Sequence, residues 1–167
     1  MRLRAWDGAN NEGPMTVVSQ FMSDTVVTCR ASDTLQHAAH LMWDRDVGCL
    51  PVVDDDGHLL GLLTDRDMCM AAYQRDAPLR NIPVRAAMTD RVYACGPDDD
   101  LTTVHHTMAA HRVRRIPVLE ATGTIVGILS LDDLARAATT VPDVPMRDVI
   151  ATMTMVAGTA PQLDPDC

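Results

Sequence analysis

Two short stretches of the chain place a hydroxyl residue three positions before an aspartate. In GLLTDRD, Thr64 precedes Asp67, and in GILSLDD, Ser130 precedes Asp133. If a helix begins at the hydroxyl residue, its free N–H groups and its dipole favour an anion, and the hydroxyl can donate to a phosphate. The carboxylate one turn later can accept hydrogen bonds from the two adjacent hydroxyls of a ribose. The two stretches could therefore each form half of a nucleotide-binding cradle.

The same spacing also has a purely structural interpretation. A hydroxyl residue at the N-cap with an acid three residues later forms a capping box, which is common at helices that bind no ligand. Gly61 and Gly127, which open the two stretches, would let either a ligand or a neighbouring stretch of chain approach the strand closely. The residues alone leave both interpretations open.

The two stretches belong to a longer internal repeat. When the sequence is shifted by 66 positions, residues 18–73 align with residues 84–139 without a gap, and 18 of the 56 aligned pairs are identical. Two copies of this length predict one pair of similar domains rather than a solenoid. The identical pairs include Met22/Met88, Asp24/Asp90, Cys29/Cys95, Pro51/Pro117, Gly57/Gly123, Gly61/Gly127 and Asp67/Asp133.

Each copy predicts a strand followed by a helix. The apolar runs at 26–28 and 92–94 predict the two strands. In the first copy the spacing of the apolar residues is that of one helix face, formed by Leu35, Ala38, Ala39 and Met42. Ser32 or Asp33 is a suitable N-cap.

A hairpin and a second helix are predicted to complete each copy. CLPVV and HLLGLL read as strands around the turn DDDG, and RIPVL and TIVGIL as strands around the turn EATG. The last helix of each copy begins at Thr64 or Ser130. Pro51 and Pro117 have no N–H to donate, which restricts their positions to a sheet edge or a bulge.

The organisation along the chain follows from the repeat. We expect a disordered N-terminal tail at 1–14, a first repeat at 15–75, a linker at 76–83, a second repeat at 84–140, and a C-terminal tail at 141–167 with a short helix.

Composition limits the classes of function. The formal charge of −9 argues against nucleic-acid binding, which requires a basic face. The chain has neither an apolar stretch long enough for a membrane helix nor the apolar core of a signal peptide, so we expect a cytoplasmic protein without a membrane partner. No nucleophile–base–orienter set and no Gly-rich phosphate loop are visible, so we do not expect an enzyme.

Cysteines and histidines offer weaker alternatives. The five cysteines form no C-x-x-C pair, and free thiols are expected, although pseudo-symmetry could bring Cys29 and Cys95 together as a redox pair. His37 and His40 could share a helix face, as could His40 and Asp44, but no third ligand is arranged around either pair, so we predict no metal site.

The paired copies, with LPVVDDDGHLLGLLTDRD in one and IPVLEATGTIVGILSLDD in the other, resemble tandem CBS domains, a pair also called a Bateman module. The resemblance covers residues 15–140. It implies an α/β (α+β) fold in which two repeats pack through their sheets about a pseudo-twofold axis and leave two clefts. It also implies a homodimer that binds an adenine nucleotide (AMP, ADP or ATP) or a related adenosyl ligand and signals to a protein effector that the sequence does not identify.

The resemblance also implies the residues of the two clefts. Asp67 and Asp133 would hold the ribose, and Thr64 and Ser130 would contact phosphate, as would basic residues in the family's phosphate-contacting positions. The other implied residues are, for adenine, Thr28, Val47, Leu50 and Pro51 in the first repeat and Ala94, Val113, Ile116 and Pro117 in the second, and, for phosphate, Arg66, Arg114 and Arg115.

The two clefts are predicted to be unequal. Arg114 and Arg115 align with Gly48 and Cys49, and Arg66 aligns with Asp132, whose charge would repel a phosphate. The leading hypothesis is a free-standing nucleotide-sensing module. The alternative is a dimeric structural or interaction protein with clefts that bind nothing, linked to stress or redox conditions.

Overall fold

The computed structural model describes residues 16–140 and 144–157. The N-terminal tail predicted at 1–14 lies outside these residues, as do residues 141–143 and 158–167 of the predicted C-terminal tail. The elements of the first repeat are β1 (Cys29–Arg30), α1 (Leu35–Asp44), β2 (Cys49–Val53), β3 (Leu59–Thr64) and α2 (Asp65–Arg75). Those that follow are α3 (Leu101–His111), β4 (Arg115–Leu119), β5 (Ile125–Ser130), α4 (Leu131–Thr140) and α5 (Met146–Ala157).

Both predicted hairpins are confirmed. β2 pairs antiparallel with β3, and β4 pairs antiparallel with β5, in the same relative register. The turns close through Gly57 and Gly123, whose φ angles of 84° and 87° lie in the region that glycine adopts without a steric penalty. The mixed helix and strand architecture predicted from the repeat is therefore present in both copies.

The prediction of first strands at 26–28 and 92–94 was wrong in position. β1 begins at Cys29 and pairs parallel with the end of β2, and in the second repeat a single parallel bridge joins Cys95 to Val118. Cys95 donates to the carbonyl of Pro117 at 3.1 Å, and the next bond of a parallel ladder would need an N–H on Pro117 itself. Proline has none, so the ladder cannot extend toward residues 92–94.

The same constraint explains how Pro51 lies within the central strand of a three-stranded sheet. β1 reaches only to Val52 on the β2 side, so Pro51 lies beyond the end of β1 and has a single neighbouring strand there. The predicted sheet edge is thus confirmed at this position, and the backbone next to Thr28 does not pair with β2.

The buried face of α1 is confirmed, but its predicted N-cap was wrong. Leu35, Ala38 and Met42 are buried, whereas the N-cap is Thr34, whose hydroxyl accepts from the backbone N–H of His37 at 3.2 Å. The Asp33 carboxylate instead accepts from the backbone N–H of Arg30 at 2.8 Å, so it closes the preceding turn.

Two hydrophobic cores form, and each contains a segment that precedes the other repeat's strands and helices. We call residues 16–23 and 82–89 the leading segments. Val18 is fully buried in the core of the second repeat, and Ile82 and Val84 are buried in the core of the first. Because each core includes apolar side chains from the other leading segment, neither repeat completes its core from its own strands and helices.

Backbone pairing between the repeats obeys the pseudo-twofold symmetry. Ser23 exchanges two hydrogen bonds of 3.0 Å with Ile128 on β5, and Thr89 exchanges bonds of 2.9 and 3.0 Å with Leu62 on β3. Shifting the first pair by 66 positions, with the repeats exchanged, gives the second pair. The other isolated bridges between distant segments obey the same relation. The Val17–Asp100 bridge corresponds to the Thr34–Pro83 bridge, and the His58–Thr124 bridge is its own equivalent.

The helix α5 covers the helices of the second repeat. It packs against α3 and α4, and Val149 and Thr152 are buried in that contact. His105 on α3 is buried there as well, and its Nε2 lies 2.7 Å from the carbonyl of Asp148 and also contacts the hydroxyl of Thr152. The first repeat has no comparable cover among the described residues, and Trp43 and Tyr73 on α1 and α2 are exposed.

The leading segments explain the glycines that open the two site stretches, and they predict unequal costs of filling those positions. A Cβ on Gly61 would lie 2.5 Å from the backbone carbonyl of Thr89, whereas one on Gly127 would meet the side chain of Met22. We expect Gly61→Ala to lower the free energy of unfolding by about 1–3 kcal/mol, because backbone must move. Gly127→Ala should cost less, because a methionine side chain can adopt another rotamer. Urea denaturation of both variants measures the difference, and equal stabilities would contradict the packing described here.

Candidate functional site

The hydroxyl–aspartate pairs form two capping boxes. In the first, Asp67 Oδ2 accepts from the backbone N–H of Thr64 at 2.9 Å and from its hydroxyl at 2.7 Å, while Thr64 Oγ1 accepts from the Asp67 N–H at 3.2 Å. Ser130 and Asp133 form the same box with distances of 2.8, 2.5 and 3.2 Å. The structural interpretation of this spacing is therefore confirmed. The ligand-binding interpretation is compatible with this geometry, because each carboxylate has a second oxygen.

The second oxygens differ between the repeats. Among the described residues, no donor contacts Asp67 Oδ1, whereas Asp133 Oδ1 accepts from the guanidinium of Arg136 one turn later in α4. The position equivalent to Arg136 in α2 is Met70, which cannot donate. Asp67 Oδ1 is therefore free to accept hydrogen bonds, whereas Asp133 Oδ1 already accepts one.

The strand register places residues that were predicted to contact phosphate next to the helix N-termini. Thr64 lies opposite Cys49, and Ser130 lies opposite Arg115. The first N–H of α2 donates to the carbonyl of Gly48 at 3.3 Å, and the first N–H of α4 donates to the carbonyl of Arg114 at 3.0 Å. The same position beside a helix start is thus occupied by glycine in one cleft and by arginine in the other.

The residues implied for adenine divide into three groups. Thr28 and Ala94 lie where the parallel ladders stop, so their backbone groups face neither β2 nor β4 in a ladder. Leu50 and Ile116 are fully enclosed in the two cores, so only their backbone could contact a ligand. The remaining apolar residues of this set are Val47 and Val113, which are half-buried, and Pro51 and Pro117, which are buried.

Charged residues of the two repeats act on one buried thiol. The pKa of Cys49 is raised to about 11 by burial, while Arg115 of the second repeat lowers it and Asp67 and Asp65 of the first raise it. Arg115 is half-buried, and Arg114 and Arg66 are exposed. Positive charge from the second repeat therefore reaches Cys49, which lies opposite Thr64 at the start of α2.

The cysteines do not form the redox pair that symmetry allowed. Cys29 is buried in the first core, Cys95 packs against the second, and both thiols are free. Burial raises the pKa of each to about 12. Such thiols remain protonated near neutral pH and are poor nucleophiles. Cys167 lies outside the described residues.

The histidines considered as metal ligands lie exposed on α1. Within residues 16–140 and 144–157, ligand atoms cluster only at Asp54, Asp56 and His58, in the turn of the first hairpin. Asp54 accepts there from the backbone N–H groups of His58 at 2.8 Å and Asp56 at 3.0 Å, and these bonds lower its pKa. These contacts account for the cluster as the closure of an exposed turn.

The contact of Arg136 with Asp133 was not predicted from the sequence. The signal was available, because residues three apart on a helix are neighbours and an acid followed by arginine at that spacing favours a contact. The stacking of Tyr93 on His111, whose ring centroids lie 3.8 Å apart, was not predicted either. That contact joins the segment before Ala94 to the end of α3, and no local pattern predicts it.

The two α/β repeats exchange their leading segments, and each has a helix that begins at a capping box. This architecture is that of a CBS-domain pair. The CBS domain family profile matches residues 18–73 and 84–140, and the chain belongs to this family. None of the helices in the part of the chain that the structure describes combines the length and apolar character needed to cross a membrane.

Individual relatives agree with the family assignment. The chain is 37% identical over 123 residues to the CBS domain-containing protein YhcV of Bacillus subtilis, covering 72% of this chain and 84% of that protein. Over 127 residues it is 35% identical to the uncharacterized protein YlbB of the same organism, covering 75% and 84%. Among solved structures, the CBS domain pair of protein MJ0100 in complex with 5′-methylthioadenosine and S-adenosyl-L-methionine superposes with a TM-score of 0.69 at 25% identity, covering 75% of this chain and 98% of that one.

The buried thiols predict a loss of stability in alkali. Cys29 and Cys95 have pKa values of about 12 when folded, but when unfolded they ionise close to the ordinary value of 9.0. The unfolded state therefore releases protons first as pH rises, and the free energy of unfolding should fall between pH 9 and pH 12. At pH 10 we expect a loss on the order of 1 kcal/mol per buried thiol.

Urea denaturation at pH 8 and pH 10 measures this loss. Cys29→Ala should show a smaller fall than the unsubstituted protein, and Cys69→Ser should show the same fall, because Cys69 is exposed. The chain contains no lysine, which removes the main competing titration in this range. Equal falls in the two variants would contradict the assignment to buried thiols.

Proposed function

We propose that this chain is a regulatory CBS-domain pair that binds an adenosine-containing ligand in the clefts between its repeats and passes occupancy to a protein partner. The observation that carries the proposal is the free Oδ1 of Asp67, on a carboxylate that the capping box already holds in place. A fixed acceptor beside a helix N-terminus suits a ribose whose phosphate or other polar substituent extends toward the N–H groups.

The surroundings of Asp67 support this ligand class. The backbone near Thr28, left unpaired because Pro51 has no N–H, offers donors and acceptors to the edge of a purine. Arg66 lies at the helix start, and Arg115 places further positive charge nearby. A homologous domain pair, that of MJ0100, holds two adenosyl compounds, neither of which has a phosphate. The ligand class proposed here is therefore adenosyl compounds in general, with AMP, ADP, ATP and S-adenosylmethionine as the members to test.

Regulation requires that the ligand prefer one arrangement of the repeats over another. The clefts lie between parts of the chain that are joined by the exchanged leading segments, so a ligand contacting both repeats would act on that packing. The second candidate is a dimeric interaction protein with non-binding clefts, because both carboxylates already serve as helix caps.

Substitution of the two aspartates distinguishes these candidates. Asp67→Asn and Asp133→Asn keep an oxygen that can accept the capping bonds but remove the negative charge and one acceptor. We expect the double variant to lose the thermal stabilisation that adenosyl compounds give the unsubstituted protein, a shift of about 2–4 °C for a chain of this size per 1 kcal/mol of ligand binding.

Calorimetric titration of the same proteins supplies the second readout. Unchanged binding in the double variant, or no binding of any adenosyl compound to the unsubstituted protein, would refute the sensor function. Chromatography of the ligand after incubation tests the enzyme class, since a binding module should return it unaltered.

We further propose that a second copy of the chain covers the exposed helices of the first repeat. Trp43 is 85% exposed and Tyr73 is 81% exposed, and aromatic side chains of this size are enriched at protein interfaces. In the second repeat, α5 lies on the corresponding helices, α3 and α4. The face left open is therefore the one at α1 and α2.

Sedimentation analysis tests the proposed homodimer. Trp43→Ser combined with Tyr73→Ser should convert a dimer to a monomer at micromolar concentration, because the change removes two large apolar surfaces from the contact. Ile150→Ser, on the exposed side of α5, is the matched control and should leave the dimer intact. A monomeric unsubstituted protein would rule out this interface.

A further inference from the structure

The carboxylate of Asp133 is enclosed by its own helix. Its side chain is only 10% exposed, its Oδ2 accepts two bonds within the capping box, and its Oδ1 accepts from Arg136. A carboxylate oxygen has two acceptor positions, so Arg136 occupies one of those that remain and adds the bulk of a guanidinium beside the other.

The first repeat shows the same site without this contact. Asp67 has the same capping bonds, and Met70 stands in place of Arg136. Because the two carboxylates are held by matching helix starts, the contact with Arg136 is a difference confined to one side chain and not a consequence of different backbone geometry.

The contact between Arg136 and Asp133 is easily broken. Its side chain is 73% exposed and reaches Asp133 from one turn along α4, and exposed ion pairs at this spacing are weak. It can therefore be displaced by a ligand, at a cost that the first cleft does not have.

We propose that Arg136 competes with the ribose hydroxyls of the ligand for Asp133 and so makes the second cleft the weaker of the two. This inference rests on the proposed function, because it assigns the ribose to the aspartates. The guanidinium acts as a built-in competitor: the first cleft fills at low ligand concentration, and the second fills only when the ligand is abundant enough to displace Arg136. The module would then respond over a wider concentration range than two equal sites allow.

Exchanging the two residues tests the competition. Adenosine is the probe, because it carries the ribose without a phosphate and so avoids the unequal charges of Arg66 and Asp132. In an Asp67→Asn background, only the second cleft keeps its aspartate. Arg136→Met should then tighten adenosine binding about threefold to tenfold, the range expected for losing one charge-assisted contact at a partly exposed site. In an Asp133→Asn background, Met70→Arg should weaken binding to the first cleft by a similar factor.

A second probe shows whether the effect acts through the ribose. 2′,3′-Dideoxyadenosine lacks both hydroxyls, so Arg136→Met should leave its affinity unchanged. A general change in folding or cleft shape would instead alter the binding of both compounds. Calorimetric titration of the Asp67→Asn protein, with and without Arg136→Met, against each of the two compounds measures all four affinities.

The outcomes separate the two proposals. If adenosine binds and is weakened by Asp133→Asn, but Arg136→Met leaves the second cleft unchanged or weakens it, the competition is overturned while the sensor function stands. If adenosine binds neither the unsubstituted protein nor Arg136→Met, or binds regardless of both aspartates, the proposed function fails and the competition fails with it.

Discussion

Reciprocal backbone pairing between the leading segments and the second hairpin strands holds the two repeats together. Ser23 bonds to β5 and Thr89 bonds to β3, and the close approach is possible because Gly127 and Gly61 present no side chain there. The same segments carry Val18 and Val84 into the opposite cores. Folding of either repeat is thereby coupled to folding of the other.

In the proposed binding mode, helix capping and ligand binding use the same side chains. In each capping box, one oxygen of the aspartate accepts hydrogen bonds from the backbone N–H and the hydroxyl. These bonds fix the orientation of the carboxylate before any ligand binds. The other oxygen is then already oriented, so little side-chain entropy remains to be lost on binding. A structural role at the helix start therefore prepares the residue for a second role and does not compete with it.

The two halves have diverged around a common backbone. Glycine stands at position 48 where arginine stands at 114, and methionine stands at 70 where arginine stands at 136. The helix α5 covers α3 and α4 and buries His105, whose counterpart in α1 is Ala39. Each difference lies in a side chain or an added element, while the hairpins, the helix starts and the reciprocal bridges remain equivalent. Pseudo-symmetry of the backbone is thus compatible with clefts of different affinity.

The sequence by itself determined the features that depend on neighbouring residues. The hairpins follow from glycine turns between short apolar runs, the capping boxes from a three-residue spacing, and the edge at Pro51 from a missing N–H. Only the tertiary structure decided the start of β1 at Cys29, the N-cap at Thr34, the exchange of Val18 and Val84 between cores, and the burial of His105 under α5. These features depend on which distant segments meet and in what register. That choice is made by the total burial and backbone pairing of the whole chain, which no local spacing contains.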